Sequence, residues 1–300
     1  MAQINKKIIE CGIKAADSKI CEEDKIWSRY SNDKVDIGEQ LAKVIRVLSK
    51  ELPLAKKMRA LSIGSSAEPQ FRSLETAFRA GLYLLDVDKQ ALDIIKERIR
   101  RQCTDHVATI HKDYNKIFLS PKNTGKLLKT ELKNKKVDLV TLHHSLYYCP
   151  QEYWHSIFEN IYKKLLAPKS AIHAVLMCSG TKNPHTTTWL YNHFAGKCFG
   201  CHNDQNLLKF SDKLKRSRVF KKAQIFSATH KVRFCISDFA KFMAAVWMIL
   251  LYPDVHKYTL KQREEITEFV YKNFWRKRIP LIQMQDHLVI YKGIGFKGLV

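Results

Sequence analysis

The sequence lacks any apolar stretch long enough to cross a membrane and any export signal at its N-terminus. The longest apolar run, Phe242 to Tyr252, is far shorter than the ~20 residues that a membrane-spanning helix needs. The first twenty residues contain lysines but no continuous apolar segment of the kind found in signal peptides. We therefore expect a cytoplasmic protein without a membrane span.

The sequence also lacks a second C-x-x-C pair, and with it a complete zinc motif. Its eight cysteines lie in a chain without an export signal, where reduced thiols are expected. Cys198, Cys201 and His202 spell C-x-x-C-H, but haem attachment to that motif requires export. Zinc would need a fourth ligand, for example Cys178 or His193. We expect no metal site.

Acidic residues are scarce relative to basic ones. Fifty-two Lys and Arg stand against 29 Asp and Glu, a formal net charge of +23. The densest basic clusters are Lys209–Arg233, Lys122–Lys136 and the triplet Arg276–Arg278. This excess favours a nucleic-acid partner, because neutralising phosphates dominates such affinities. The alternative is a charge spread over solvated surfaces, since Lys is more abundant than Arg, the usual residue at phosphate contacts.

Short apolar strands alternate with helices in the middle of the sequence. The predicted strands are 59–63, 82–85, 107–111, 137–142 and 171–177. Continuous apolar strands separated by helices indicate a parallel sheet with both faces covered. Right-handed crossovers then predict a doubly wound α/β domain.

The flanking segments are less regular. A helix is predicted at 35–52, and one at 71–81 is expected to end at Gly81. Residues 179–202 are predicted to form a long loop or small insertion. Later elements are predicted as helices 205–219, 239–251 and 260–274, a strand at 223–236 that breaks near Thr229, and a last strand at 287–291.

Polar residues follow four consecutive strands of this predicted sheet. They are Gly64 to Ser66, Asp86, Asp113 and His143. A doubly wound sheet binds its ligand at the carboxyl ends of its strands, and an acid about 20 residues after the glycine turn can bind a ribose. Taken singly, Asp86 could be a helix N-cap, as could Asp88, and Asp113 a turn residue. Together they favour a nucleoside ligand.

Two phosphate-binding motifs are missing from this region. Of G-x-G-x-x-G only Gly64 is present, and there is no G-K-[ST]. A pyrophosphate would lack the glycines that make room for it, whereas a nucleoside cofactor without phosphates does not need them.

Four segments resemble the motifs of class I methyltransferases, which use S-adenosylmethionine (SAM). ALSIGSSAEPQF resembles their glycine-rich first motif and YLLDVDKQAL their ribose-binding second motif. HKDY resembles the segment beside the adenine, and VDLVTLHHSLYYC the fourth-strand motif. The resemblance covers residues 58–178 well and 223–292 more loosely. It implies a seven-stranded, mostly parallel sheet with an antiparallel last strand, and SAM as the cofactor.

The resemblance implies roles for the first two strand ends. Gly64, Ser65 and Ser66 would lie against the methionine part of the cofactor. Asp86 would bind the ribose hydroxyls, and Val87 would pack on the adenine face.

It implies roles for the next two strand ends as well. Asp113 would accept a hydrogen bond from the adenine amino group, with Tyr114 alongside. His143 and His144 would lie near the methionine and the transferring methyl. Either histidine could act as a general base, which methyl transfer does not strictly need, so the catalytic residue is left open.

Aromatic side chains are candidates for the acceptor pocket, because aromatic faces stabilise the sulfonium cation. They are Tyr30, Tyr147, Tyr148 and Trp189. We expect the lid over the acceptor to include Trp27, Tyr30 and the segment Thr186–Phe194, which contains Trp189.

The sequence departs from the family at the first motif. Ser62 stands where the family often has an acid, and Ser66 and Glu68 replace glycines. Similar variants occur among small-molecule N-methyltransferases, which the chain loosely resembles. The same departures also allow a cofactor-binding module without catalysis.

We therefore expect an N-terminal helical cap (1–55) and a class I methyltransferase domain (56–300) with a substrate insertion at about 179–222. The insertion is rich in aromatic residues, which favours a small-molecule acceptor methylated on N or O. The alternatives are an RNA or protein methyltransferase that uses the basic face, and a non-catalytic cofactor-binding module. The sequence does not name the acceptor or the oligomeric state.

Overall fold

A computed structural model describes residues 6–17, 20–64, 70–251 and 258–295. The strands are β1 (Arg59–Ile63), β2 (Gly81–Asp86), β3 (Val107–His111), β4 (Val137–His143), β5 (Leu166–Met177), β6 (Ala223–Phe234) and β7 (Leu281–Lys292). The first α-helices are α1 (Lys6–Lys14), α2 (Ile20–Tyr30), α3 (Asp33–Glu51), α4 (Gln70–Ala77), α5 (Lys89–Arg101) and α6 (Tyr114–Phe118). They are followed by α7 (Pro121–Thr130), α8 (Trp154–Asn160), α9 (Thr187–Phe199), α10 (Leu207–Arg216), α11 (Phe239–Leu251) and α12 (Leu260–Val270).

The strands form one sheet in the order β3-β2-β1-β4-β5-β7-β6. The pairs from β3 to β5 are parallel, and β7 is antiparallel. Every residue of β4 is buried, as expected for a strand covered on both faces. The predicted doubly wound sheet, its antiparallel last strand and the N-terminal helices are confirmed.

Side-chain caps start several of the helices. The Asp88 carboxylate accepts from the backbone N–H groups of Gln90 and Ala91 at the start of α5. At α12, Thr259 and Gln262 form a reciprocal capping box. Each cap satisfies N–H groups that the first helical turn leaves without a partner.

The chain divides into two compact units. The sheet unit consists of Ile37–Leu176, Asn206–Ala228 and Asp286–Val300, and the helix-rich unit of Met1–Asp36, Met177–Gln205 and Thr229–Gln285. These divisions fall at other residues than the predicted domain boundaries, because most of α3 packs into the core of the sheet unit. The domain boundaries themselves stay a prediction.

The sheet unit has one apolar cluster on each face of its strands. Ala60, Leu139 and Ala171 belong to one cluster, and their neighbours Leu61 and Val140 to the other. Successive side chains of a strand point to opposite faces, so this alternation separates the clusters. Helices α3 to α5 supply the first cluster and α6 to α8 with α10 the second.

The helix-rich unit is held together by aromatic side chains. The Trp27 ring stacks on Phe234 at 5.3 Å and 7°. Trp247 is fully buried, and its Nε1–H donates to the carbonyl oxygen of Gly12 at 2.8 Å, a contact between residues 235 positions apart. A Cβ at Gly12 would collide with Thr267, so α1 lies close against α12. Among the described residues, no helix combines the length and the apolar character needed to cross a membrane.

Of the long loop or small insertion predicted over residues 179–202, the loop is wrong, because α9 occupies more than half of the segment. Thr186 caps its first turn by accepting from Trp189 N–H, and Gly200 ends it with φ +69°. The buried side chains lie on one face of this helix, but that face includes Thr187 and Thr188, and the apolar Trp189 lies on the opposite side. The sequence therefore lacks the one-sided apolar periodicity by which helices are predicted.

Three smaller predictions also fail. Helix α4 ends at Ala77, and Gly81 is instead the first residue of β2, with φ +151°. Strand β6 runs through Thr229 without a break. Strand β7 starts at Leu281, six residues earlier than predicted, since it follows Pro280 directly.

Candidate functional site

The glycine at the end of β1 is required by its geometry. Gly64 has φ +69°, and its N–H donates to the Leu85 carbonyl oxygen at 2.9 Å. A Cβ at this position would lie 2.6 Å from Ser145 Cβ. Only glycine allows both the left-handed backbone and this close approach. Ser65 and Ser66, also predicted to bind the cofactor, lie outside the described residues.

Asp86 and Asp88, at the end of β2, make different hydrogen bonds. Asp88 caps α5, with its Oδ1 2.8 Å from Gln90 N and 3.2 Å from Ala91 N. Asp86 accepts from the Asp88 N–H at 2.9 Å and is half-buried at the strand end. Because Asp88 provides the cap, the alternative interpretation of Asp86 as an N-cap is excluded.

Val87 presents an apolar side chain beside Asp86. Its side chain is 68% exposed, which is high for a valine next to a buried strand. Its carbonyl oxygen accepts from His111 Nε2 at 3.0 Å, so the backbone is fixed although the side chain is open. This exposed apolar surface suits the packing role predicted for Val87.

Asp113 and Tyr114 follow β3. Asp113 caps α6 by accepting from the Asn115 N–H at 2.9 Å. The Tyr114 hydroxyl donates to the carbonyl oxygen of Ser145 at 2.8 Å, and burial raises the Tyr114 pKa well above its ordinary value. Tyr114 therefore ties the end of β3 to the turn after β4.

The turn after β4 holds two aromatic side chains together. His144 has φ +52°, and its N–H donates to the Val175 carbonyl oxygen at 2.9 Å. Its ring stacks on Tyr147 at 6.0 Å and 13°, with Nδ1 3.2 Å from the tyrosine hydroxyl. Tyr148 is 54% exposed. A left-handed backbone at a non-glycine residue is uncommon and marks a turn fixed by its surroundings.

His143 belongs to a buried row of three histidines on β4, β5 and β7. His143 Nε2 lies 3.1 Å from His173 Nδ1, and His173 Nε2 lies 3.3 Å from His287 Nδ1. Burial, followed by the two neighbouring imidazoles, holds the His173 pKa well below its usual value. The sequence prediction named only His143, although a histidine within the apolar strand AIHAVLM is a signal that could have found His173.

A neutral His173 constrains how the row can carry protons. A neutral imidazole donates through one nitrogen and accepts through the other. His173 therefore donates to one neighbour and accepts from the other, and reversing its tautomer reverses both bonds. The row can thus place either a donor or an acceptor at His143.

The acid expected by family resemblance near the end of β1 is replaced by a hydroxyl pair. The Thr141 hydroxyl donates to the Ser62 hydroxyl oxygen at 3.0 Å, and both side chains are buried. The two residues are register partners on β1 and β4. A neutral pair here avoids burying a carboxylate, which would need a partner.

The other predicted substrate residues belong to the helix-rich unit. Tyr30 is half-buried at the end of α2. Trp189 is half-buried on α9, where it stacks on His193 at 4.5 Å and on Phe269 at 5.7 Å. Trp27, predicted as part of a lid, is buried in the core of this unit. The role of the two substrate residues stays a prediction.

The cysteines of the C-x-x-C-H sequence, Cys198 and Cys201, are free thiols on partly exposed surfaces. Burial raises the Cys198 pKa, which disfavours the thiolate that binds metals.

No protein-family model matches the sequence, and no curated protein matches it either. The structure is similar to that of the YcgJ protein from Bacillus subtilis, with 10% identity and a TM-score of 0.49 over 83% of this chain and 99% of that one. It is similar to the N-methyltransferase NodS from Bradyrhizobium japonicum, with 10% identity and a TM-score of 0.42 over 85% and 94%. It is also similar to the plantazolicin methyltransferase BamL in complex with S-adenosylhomocysteine (SAH), with 13% identity and a TM-score of 0.46 over 96% and 97%.

These similarities are distant, and they do not by themselves transfer a substrate or a cofactor to this chain. The strand order itself, with an antiparallel β7 between β5 and β6, is that of the Rossmann-like methyltransferase fold.

Proposed function

We propose that the protein is a SAM-dependent methyltransferase that transfers a methyl group to a nitrogen or oxygen of a small molecule. The proposal is supported chiefly by the end of β2, where the half-buried carboxylate of Asp86 follows the strand and the separate Asp88 caps α5. In this fold the ligand lies at the carboxyl ends of the strands. Gly64, Asp113 and His143 end the neighbouring strands.

The residues present fit a nucleoside cofactor. Gly64 lets the end of β1 lie close to the turn after β4, because a Cβ on it would collide with Ser145. Val87 offers an exposed apolar side chain to an adenine face, and the neighbouring carboxylate of Asp86 can accept from ribose hydroxyls. The absence of further glycines suits a cofactor without phosphates.

The bound cofactor supplies an electrophilic methyl group on a sulfonium. The protein's contribution is proximity and alignment, worth up to roughly 7–11 kcal/mol of a barrier. His144 and Tyr147, stacked at the end of β4, offer aromatic surfaces to a cation. His143, through its row with His173, can accept a proton from an acceptor that loses one on methylation.

The decisive experiment is calorimetric titration of SAM into the wild type and two matched variants, Asp86→Asn and Asp88→Asn. We expect saturable binding to the wild type, weakened about 10–100-fold in Asp86→Asn by the loss of charge-assisted hydrogen bonds. Asp88→Asn should bind like the wild type, because asparagine is also a good N-cap. NAD should not bind.

Absence of SAM binding to the wild type would overturn the proposal, as would equal weakening by both variants. Binding without SAH formation in a screen of small-molecule amines, phenols and hydroxyl compounds would favour the non-catalytic module. SAH formation only with RNA or protein would favour the macromolecular alternative.

A further inference from the structure

A groove on the helix-rich unit is lined by basic and polar residues and by no acidic one. It has a volume of about 690 Å³ and opens broadly to solvent. Its lining residues are Arg29, Tyr30, Ser31, Asn32, Lys231, Arg233 and Cys235. It lies where the end of α2 meets β6.

The three cations of this groove have no acidic partner among the residues that the structure describes. Some cations of the same unit are paired, as Lys197 is with Glu265 at 2.5 Å and Arg263 with Asp17 at 2.8 Å. Arg29, Lys231 and Arg233 are all exposed. Like charges gathered without a counter-charge repel one another, and an anionic ligand would relieve that repulsion.

The backbone holds these side chains in place. Lys231 and Arg233 alternate with the buried Val232 and Phe234, so they share the outer face of β6, with Cα atoms ~6.8 Å apart. The Cys235 N–H donates to the Tyr30 carbonyl oxygen at 3.1 Å, which ties the end of α2 to β6. Two of the three cations therefore lie on one face of β6, and Arg29 comes from the end of α2.

Asn32 adds an oriented donor. Its Oδ1 accepts from the Arg233 N–H at 2.7 Å, while its own N–H donates to the Arg233 carbonyl oxygen at 3.2 Å. This bond holds the Asn32 amide in place, and its Nδ2 group is a donor that an anion can accept from.

An aromatic ring completes the lining. Tyr30 is half-buried, and the Arg29 guanidinium lies 5.6 Å from the centre of its ring. Open grooves that combine cations with an aromatic ring are typical of proteins that bind single-stranded nucleic acids, where bases stack on the ring and the cations follow the backbone.

We propose that this groove, here called the cationic groove, binds single-stranded nucleic acid through its sugar–phosphate backbone, with Tyr30 stacking on a base. An open groove that combines three cations with an aromatic ring fits a phosphate backbone with bases better than one isolated anion. The net charge of +23 adds long-range attraction for such a partner. The inference goes beyond the proposed methyl transfer and does not depend on it, because binding is measured without SAM.

The test uses the full chain and a fluorescein-labelled 12-nucleotide oligouridylate, with binding followed by anisotropy from 50 to 200 mM salt. The groove variant carries Arg29→Gln, Lys231→Gln and Arg233→Gln. The matched control carries Arg276→Gln, Lys277→Gln and Arg278→Gln, which removes the same two Arg and one Lys from an exposed segment of the same unit. Both variants lose three positive charges.

We expect the groove variant to bind at least about tenfold more weakly than the wild type at 50 mM salt, and its slope of log K against log salt to be shallower by about 2. The control should stay within about threefold. Tyr30→Leu should weaken binding about tenfold without changing the slope.

Three results would overturn the inference. They are no binding by the wild type, equal weakening in the groove and control variants, and tighter binding of a blunt RNA duplex than of the single strand. An unchanged affinity in Tyr30→Leu would overturn the assignment to nucleic acid and leave a groove for polyanions without bases.

Discussion

The two compact units bury ionisable side chains that respond to pH in opposite directions. In the helix-rich unit, burial and then the neighbouring Glu22 raise the pKa of Glu23 to about 7. In the sheet unit, burial lowers the pKa of His173 well below its usual value. Desolvation disfavours the charged form in both cases, so the acid holds its proton longer and the base loses it earlier.

Because of this difference, the stability of each unit depends on pH in its own way. Between pH 4.5 and 7 folded Glu23 keeps a proton that the unfolded chain releases, so stability falls as the pH rises through this window. Below pH 6.5 the unfolded chain takes up a proton that buried His173 refuses, so stability falls as the pH drops. Neutral pH therefore lowers the stability of the helix-rich unit through Glu23, and acidic pH lowers the stability of the sheet unit through His173.

The largest expected effect comes from removing the buried charge of Glu23 in the helix-rich unit. Glu23 is 2% exposed, and its Oε1 makes no hydrogen bond with any described residue. Glu23→Gln removes the buried charge and should raise the free energy of unfolding in urea by about 2–3 kcal/mol more at pH 8 than at pH 5. The exposed neighbour gives the control, since Glu22→Gln should change stability by a few tenths of a kcal/mol. Equal gains at both pH values would contradict the buried-charge explanation.

A second change tests the site without touching any ionisable group. Gly64→Ala places a Cβ against Ser145 on a left-handed backbone and should cost about 2 kcal/mol, equally at pH 5 and pH 8. Gly125→Ala is the control, because no atom lies within 4 Å of its added Cβ and alanine favours helix α7 by about 0.5–1 kcal/mol. A stable Gly64→Ala protein would show that the turn can relax.

The sheet-unit side of the comparison is tested at His173. His173→Gln keeps a donor and an acceptor but cannot take up a proton. From pH 6.5 to pH 5 the variant should lose less stability than the wild type, because only the wild type has an imidazole that takes up a proton on unfolding. Parallel curves of unfolding free energy against pH for the two proteins would refute the prediction.

The smallest expected effect concerns the cationic groove. Its three cations are exposed and make no ion pair with a described residue, so the triple glutamine variant should keep its free energy of unfolding within about 0.5 kcal/mol. Urea unfolding at pH 7 measures this directly. A larger loss would mean that these side chains support the fold. Weaker nucleic-acid binding by the variant could then be a result of its lower stability rather than of the missing charges.

The sheet unit could largely be predicted from sequence because its signals are local. Continuous apolar runs placed β1 to β4, and the polar residue after each run gave Gly64, Asp86, Asp113 and His143. The division between Asp86 and Asp88 could not be predicted. It depends on which carboxylate reaches the first turn of α5, and both aspartates have suitable spacing.

In the helix-rich unit α11 and α12 could be predicted from sequence, but the packing of the unit could not, because its segments are far apart in sequence. The buried face of helix α9 includes Thr187 and Thr188, and the apolar Trp189 lies on the opposite side, so its sequence shows no single apolar stripe. Trp27 looked like a lid residue because nothing near it in sequence shows that Phe234 stacks on it. The contacts of His173 with His143 and His287 depend on the strand order, which places β5 between β4 and β7.

The hydrogen bond from Trp247 to the Gly12 carbonyl can form only late in the synthesis of the chain. The two residues are 235 positions apart, and ribosomes add roughly 5–20 residues per second. The first helices therefore leave the ribosome roughly 10–50 s before their packing partner is made. During that interval their apolar faces have no native surface to bury. The nascent chain is then most exposed to aggregation and to chaperones.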